Sequence, residues 1–302
     1  MKKNYLIFIF FLIGVLIWSE IYLPKNFQLG EEKLFSVEKG QSLFQISQYL
    51  EKEGLIKNKF LFDLYIFIKG AQRKLQAGEY FLSPSESIDR IAEKIISGDI
   101  AKIVVTIPEG WTQKQIEERT GLKLPGENLE GFLFPDTYQF PLRVSGEEVV
   151  KKMRENFEKK FTPYRNEVSG AGLTPFEIVT MASLIEKEVS KNEDKELVSG
   201  ILWKRLKNNI PLQVDATITY ITGKRTTKIS KEETQIDSPY NTYKYLGFPP
   251  GPICNPGIDS IKAAIYPKNS EYWYYLSTPE GKTIFSKTLE EHNLAKTRYL
   301  SR

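Results

Sequence analysis

Cysteine and histidine are almost missing from these 302 residues: there is one of each, Cys254 and His292. A lone cysteine excludes an internal disulfide, and one imidazole excludes a multi-histidine zinc site, so no metal or other cofactor is expected. A Ser-His-Asp triad would have to use His292, and no G-x-S-x-G accompanies it; glycine-rich phosphate loops are missing too. An excess of one charge is also lacking. Forty-two basic residues against 38 acidic ones leave +4, with the two signs interleaved. That excludes the concentrated basic stripe of a nucleic-acid binder. Internal repeats are not visible, and beyond the N-terminus no apolar run reaches spanning length.

What is present begins with MKKNYLIFIFFLIGVLIWSEIYLP. Lys2 and Lys3 precede an apolar run from Tyr5 to Trp18, extended by Ile21, Tyr22 and Leu23. A spanning helix needs about 20 apolar residues, with a lower limit of about 17. Trp18 and Tyr22 stand where interfacial anchors belong, and SEIYLPKNF supplies no small-x-small cleavage site. The expectation is an uncleaved single-pass membrane anchor, with the two lysines inside and residues 25–302 outside.

The rest is aromatic and apolar enough, at 13% and 41%, to exclude general disorder and to build cores. Residues 24–33 read as a polar linker. A strand at Leu34–Val37, a turn at Gly40, capped helices after Ser42 and Asn58, a strand at 78–83 and a helix at 87–98 form a small α+β unit. Its strand-G-x-S-L-x-x-I start resembles LysM glycan-binding modules; a simple packing subdomain is the alternative. KIVVTI (102–107) reads as a buried strand, and EGFLFPDTYQF (130–140) as an ordered loop. Helices follow at Thr112–Gly121, from Ser145 to Phe161, from Thr174 to about Val189, and over 194–208 with Leu197, Ile201, Leu202 and Leu206 inward. Thr217–Ile221 leans to strand; 273–278 and 282–287 pair as a hairpin; Thr288 caps a last helix. The predicted fold class is therefore α+β: a transmembrane helix (1–24), a small LysM-like subdomain (25–100) and a larger mixed α+β domain (101–302).

Two features carry chemistry. In MASLIEKEVS (181–190), Ile178, Ala182, Ile185 and Val189 make an apolar stripe. Glu186 lies about 70° to one side of it and Glu188 about 90° to the other. Periodicity does not choose between them. Glu186 has the small Ala182 and Ser183 beside it, and a carboxyl with open space at the edge of an apolar stripe can have a raised pKa. Glu188 lies over Leu184 and Ile185 and can pair with Lys191. The second feature is 238–257, SPYNTYKYLGFPPGPICNPG, with five prolines and three glycines. It is a rigid loop bearing Ser238, Tyr240, Asn241, Thr242, Tyr243 and Asn255, which suit a sugar groove or a purely structural loop. Gln213 and Asp215 can face the same cleft, and Thr217 and Tyr220 complete the candidate binding set.

ASLIEKEV, KELVSGILWKRLKNNIPLQVDATITY, SPYNTYKYLGFPPGPICNPGIDSIKAAIYP and FSKTLEEHN, in that order, resemble the endolytic murein transglycosylase (MltG, YceG-like) family over nearly the whole chain. The resemblance implies a bacterial inner-membrane lyase that cuts nascent peptidoglycan strands internally and leaves 1,6-anhydro-MurNAc ends. It implies Glu186 as the catalytic acid and base, and cell-wall synthases (penicillin-binding proteins) as partners. Cys254 departs from the small residue expected in the G-P-I-x-x-P-G block. The alternatives are an inverting muramidase using Glu186 with Asp215, and a non-catalytic membrane-tethered glycan-binding scaffold.

Overall fold

Helix-start signals explain most of the architecture. The computed structural model describes residues 2–25, 30–224 and 229–300, so part of the expected linker, 26–29, lies outside the described residues. Ser42, Thr112, Ser145 and Thr174 each close a complete capping box with Gln45, Gln115, Glu148 and Glu177. Each box satisfies two otherwise orphaned backbone donors reciprocally. The chain divides into two compact units, Met1–Val104 with Gln139–Val144, and Val105–Tyr138 with Ser145–Arg302.

The first unit contains α1 (Lys2–Tyr22), β1 (Lys33–Val37), α2 (Leu43–Lys52), α3 (Lys59–Ile68), β2 (Gly78–Leu82) and α4 (Ile88–Ser97). Strands β1 and β2 are antiparallel, with Phe35 opposite Tyr80. Phe35, Val37, Tyr80 and Leu82 point from this ribbon into a core closed by Ile46, Leu50, Phe62, Ile66, Ile91 and Ile95. Ile21 belongs to that core and Ile17 packs on it, so the end of α1 is part of the unit. The apolar part of α1, Ile7–Tyr22, is short, and among the described residues no single helix is long and apolar enough to cross a membrane.

β3 (Lys102–Thr106) and β4 (Thr137–Pro141) form a second two-stranded sheet. This corrects two expectations. The KIVVTI strand exists but Val104 is 64% exposed, because a two-stranded ribbon leaves a face open. The end of EGFLFPDTYQF is the strand β4, while Leu133 and Phe134 plug the interior.

The second unit holds α5 (Gln113–Thr120), α6 (Gly146–Phe161), α7 (Arg165–Gly170), α8 (Pro175–Glu188), α9 (Asn192–Lys207), α10 (Asp215–Thr222), α11 (Ile258–Ile265), the hairpin β5 (Tyr274–Ser277) and β6 (Thr283–Ser286), and α12 (Leu289–Leu300). Helix α8 is its axis: Ile178 through Ile185 are all buried, packed against α9, α10 and α11. The β-leaning Thr217–Ile221 run is helical, as α10. Its threonine hydroxyls turn back onto carbonyls three or four residues earlier (Thr217 to Val214, Thr219 to Ala216, Thr222 to Ile218), and Ala216 to Ile218 face the core. Tertiary burial thereby overrides a weak β preference. Helix α9 turns Lys195 and Arg205 inward along with Val198, Ile201 and Leu202, whereas Leu197 and Leu206 are only half-buried.

At Gly200 of α9 a Cβ would stand 2.0 Å from the Lys268 carbonyl oxygen. Alanine is the better helix former by about 1 kcal/mol, but the clash wins. Gly200→Ala should lower stability by about 1–3 kcal/mol, visible as a lower Tm in calorimetry; an unchanged or higher Tm would show that the helix can move away.

Candidate active site

Helix α8 ends at Glu188 and Val189 is already extended, so Glu186 and Glu188 leave its last turn in different directions. Each meets the start of another helix. The Glu186 side chain is 10% exposed, and three donors converge on its Oε2: Ser260 Oγ at 2.6 Å, the Gly257 amide at 3.1 Å and Lys195 Nζ at 3.5 Å. Gly257 is the N-cap of α11, so this carboxylate takes up free donor groups at the positive end of that helix. A Cβ on Gly257 would collide with the Glu109 carboxylate at 2.0 Å. Burial and the neighbouring Glu186 raise Glu109 above its ordinary range.

The Tyr275 hydroxyl and the Ala216 amide, in the first turn of α10, lie near the Glu188 carboxyl and favour its charged form. Burial, then the Asp215 charge, push its carboxyl up to about 7. Glu188 is not paired with Lys191, as the sequence suggested, but set beside a second carboxyl. Asp215 is itself raised by burial, while the Tyr243 hydroxyl donates to its Oδ1. Arg205, 6% exposed, underlies the group: its Nη1 binds the Leu212 carbonyl at 2.9 Å, its Nη2 binds Gln213 Oε1 at 3.2 Å, and it lies over the Tyr274 ring. The other face of interest is His292, stacked on Tyr274 and drawn down to about 4 by burial. It is neutral at physiological pH and a poor base, which disposes of a histidine-driven triad.

Gln213 has a left-handed backbone, φ 54°. Its amide bonds the Thr242 carbonyl at 3.0 Å and the next amide, of Val214, bonds Thr242 Oγ1 at 2.9 Å. Such strain persists only where neighbours over-determine it. Here it aims exposed Gln213 outward one residue before buried Val214 and two before Asp215.

The candidate binding residues separate into two groups. Gln213, Asp215, Tyr220, Ser238, Tyr240 and Tyr243 keep accessible surface. Thr217, Asn241, Thr242 and Asn255 do not, at 2% exposure or less, and their polar atoms are committed to the scaffold. Asn241 Nδ2 binds the carbonyls of Thr234 and Ile236. The Asn255 side chain binds the Leu133 amide, the Trp111 carbonyl and Glu130. In this structure these four side chains shape the loop from within. Ser238 accepts from the Tyr240 amide at 3.3 Å. Tyr220 and Tyr240 form a ring pair 5.0 Å apart, and near them Glu130 is lifted by burial to about 7. Buried Cys254 directs its thiol at the Ser183 carbonyl, 3.4 Å away, and acts as a small core residue. Among the described residues no cluster of three potential metal ligands exists.

Sequence reasoning missed Tyr275, Arg205, Lys195 and Glu130. The available signal was the charge: Lys195 and Arg205 lie ten residues apart on the apolar face of α9, and a cation there requires a buried partner.

A family model described as YceG-like matches residues 35–298. The endolytic murein transglycosylase of Bacillus subtilis (strain 168) is 33% identical over 88% of this chain and 84% of its own length. That of Streptococcus pneumoniae serotype 2 is 30% identical over 85% of this chain, which spans 56% of that longer relative. The crystal structure of a yceG-like protein from Listeria monocytogenes, 33% identical, superposes with a TM-score of 0.61 over 89% of this chain and 100% of that chain.

Removing one partner of a buried ion pair costs about 3–5 kcal/mol, while replacing both by apolar groups is often neutral. Glu186→Gln should therefore lower the denaturation midpoint strongly, and adding Lys195→Met should restore part of it. Equal stability of Glu186→Gln and wild type would remove Glu186 from this structural role.

Proposed function

Since the chain belongs to the YceG-like family, we propose that it is an endolytic murein transglycosylase in which Glu188 carries the proton. The observation supporting this choice is the cluster around it: a carboxyl pushed up by burial to about 7, near the Tyr275 hydroxyl and beside Asp215, a residue that keeps accessible surface. Neutral-pH acid catalysis needs a group that still holds its proton there. Glu186, the residue the family resemblance favours, is in this reading a positioning residue that fixes the end of α8.

Cleavage of the MurNAc–GlcNAc β-1,4 bond then proceeds without water. Protonated Glu188 gives its proton to the bridging oxygen as the bond from that oxygen to MurNAc C1 breaks. The Asp215 carboxylate, held by Tyr243, opposes the positive charge growing at C1. The Glu188 carboxylate next takes the proton from the MurNAc C6 hydroxyl, and that oxygen closes onto C1. The product is a 1,6-anhydro ring, and Glu188 is again protonated. The nucleophile comes from the sugar, so one acid/base group suffices where ordinary glycosidases use two carboxyls at a set separation. The Tyr220–Tyr240 pair and exposed Gln213 offer ring faces and amide groups for neighbouring sugars.

The same reading assigns residues 1–24 as a single-pass anchor in the bacterial cytoplasmic membrane, residues 25–100 as a LysM-like glycan-binding unit, and residues 101–302 as the catalytic domain outside. The synthases that extend glycan strands are its natural partners.

Purified glycan strands digested by the wild type should yield 1,6-anhydro-MurNAc ends in mass spectrometry. Glu188→Gln should lose about 10²–10⁴-fold in rate with its fold intact. Reducing ends would indicate a muramidase using Asp215 as base. Full activity of Glu188→Gln with a folded but inactive Glu186→Gln would return the role to Glu186, and activity in neither protein nor wild type would indicate a scaffold.

A general acid raised to about 7 also sets the pH response. kcat/KM should fall on the alkaline side of about 7 as Glu188 loses its proton. The stability sign is the same. The unfolded carboxyl ionises near 4.5, whereas the folded one keeps its proton to about 7, so stability is lost as pH rises across that window. Glu188→Gln should remove this loss; an unaltered pH profile in the variant would contradict the assignment.

A further inference from the structure

Helix α3 of the first unit has an apolar face that the chain leaves uncovered. Phe60, Phe67 and Ile68 are 67%, 69% and 72% exposed, and Leu64 is 38% exposed. At helical spacing these four cover an arc of about 100°. Phe44, at the start of α2 and 53% exposed, extends the patch, with Lys59 Nζ over its ring at 5.0 Å and over that of Phe60 at 5.3 Å. The opposite face, Phe62, Tyr65 and Ile66, makes the core. A helix so apolar on both faces needs a second apolar environment.

Its neighbour says which. Helix α1 packs directly on α3. Tyr22 meets Tyr65 edge to face at 6.4 Å, Glu20 pairs with Lys57 at 3.4 Å, and Ile17 and Ile21 join the unit's core. Tyr65 is flanked along α3 by Leu64 and Ile68, so the uncovered stripe borders the end of α1 near Tyr22. Charge fits as well: residues 57–74 contain five basic residues and one acidic; Lys59 opens α3 beside the stripe, while Lys69 at its other end pairs with Glu93 at 3.1 Å. A lysine at the end of an apolar stripe, as Lys59 is, lays its stem along it and can lift its ammonium group to phosphates.

We propose that α3 is a second membrane contact, lying in the headgroup region of an anionic bilayer beside the anchor and holding the first unit on the membrane surface. This rests on the reading of α1 as an anchor. The unit would then be fixed at the surface by two elements, a spanning helix that sets position and an interfacial helix that prevents free rotation about it.

The test uses the full chain in nanodiscs of anionic lipid, with an environment-sensitive fluorophore on a cysteine introduced at Phe67, Leu12 or Arg119, one site per protein. Lipids carrying a shallow nitroxide should quench the Phe67 label and blue-shifted emission should accompany it, while the Arg119 label behaves as in water. A quenched Leu12 label with a Phe67 label as wet as that at Arg119 overturns the α3 contact and leaves the anchor standing. A Leu12 label left unquenched by lipids carrying a deep, acyl-chain nitroxide overturns the anchor reading itself. A Phe67 label shielded from water yet untouched by lipid nitroxide would show that a second copy or another protein covers the stripe, and would also overturn the proposal.

Discussion

A carboxylate withdrawn from water must find donors, and Glu186 finds three on a single oxygen: a lysine, a backbone amide and a hydroxyl. Those donors come from α9 and from the start of α11, so satisfying one side chain fixes three helices together. The arrangement holds because each alternative is costly. A buried Lys195 without Glu186 is an unpaired cation, and α11 without a carboxylate at its N-terminus has an unmet donor end.

Once the last turn of α8 is fixed, Glu188 has one direction to point, toward the first turn of α10. The two glutamates are then used in opposite ways. Around Glu186 a cation and two further donors gather. Around Glu188 lie a second carboxyl and aromatic rings, with Arg205 beneath the group, and burial carries its carboxyl up to about 7. Desolvation and a like charge act in the same direction there, and the nearby Tyr275 hydroxyl and Ala216 amide only partly oppose them. Glu130, lifted to about 7 behind Asn255 and the start of α5, repeats the theme of a carboxyl at a helix start.

Local rules were legible. Four capping boxes, the αL glycine closing α4 at Gly98 and the hairpin around Pro279-Glu280-Gly281 all follow from residues a few positions apart. The separation of Glu186 and Glu188 to opposite flanks of a stripe was equally readable, because it needs only 100° per residue. Their roles were not readable by periodicity. They depend on Lys195, Gly257 and Ser260 on one side and Asp215, Ala216 and Tyr275 on the other, between 9 and 87 residues away along the chain. The same limit explains α10, where burial of Ala216 to Ile218 and threonine hydroxyls bonded back to carbonyls outweigh a β-branched composition. The loop 238–257 showed both faces of the problem: its rigidity was evident from proline and glycine, whereas which of its amides point outward required the fold.

The central claim is that Glu188 keeps its proton to near-neutral pH while set beside Asp215. It is tested most directly by following side-chain carboxyl carbons in glutamate-labelled protein by NMR across a pH titration, with Glu188→Gln used to assign the signal. The account predicts a Glu188 midpoint near 7. A midpoint in the ordinary carboxylate range, about 4, would contradict it.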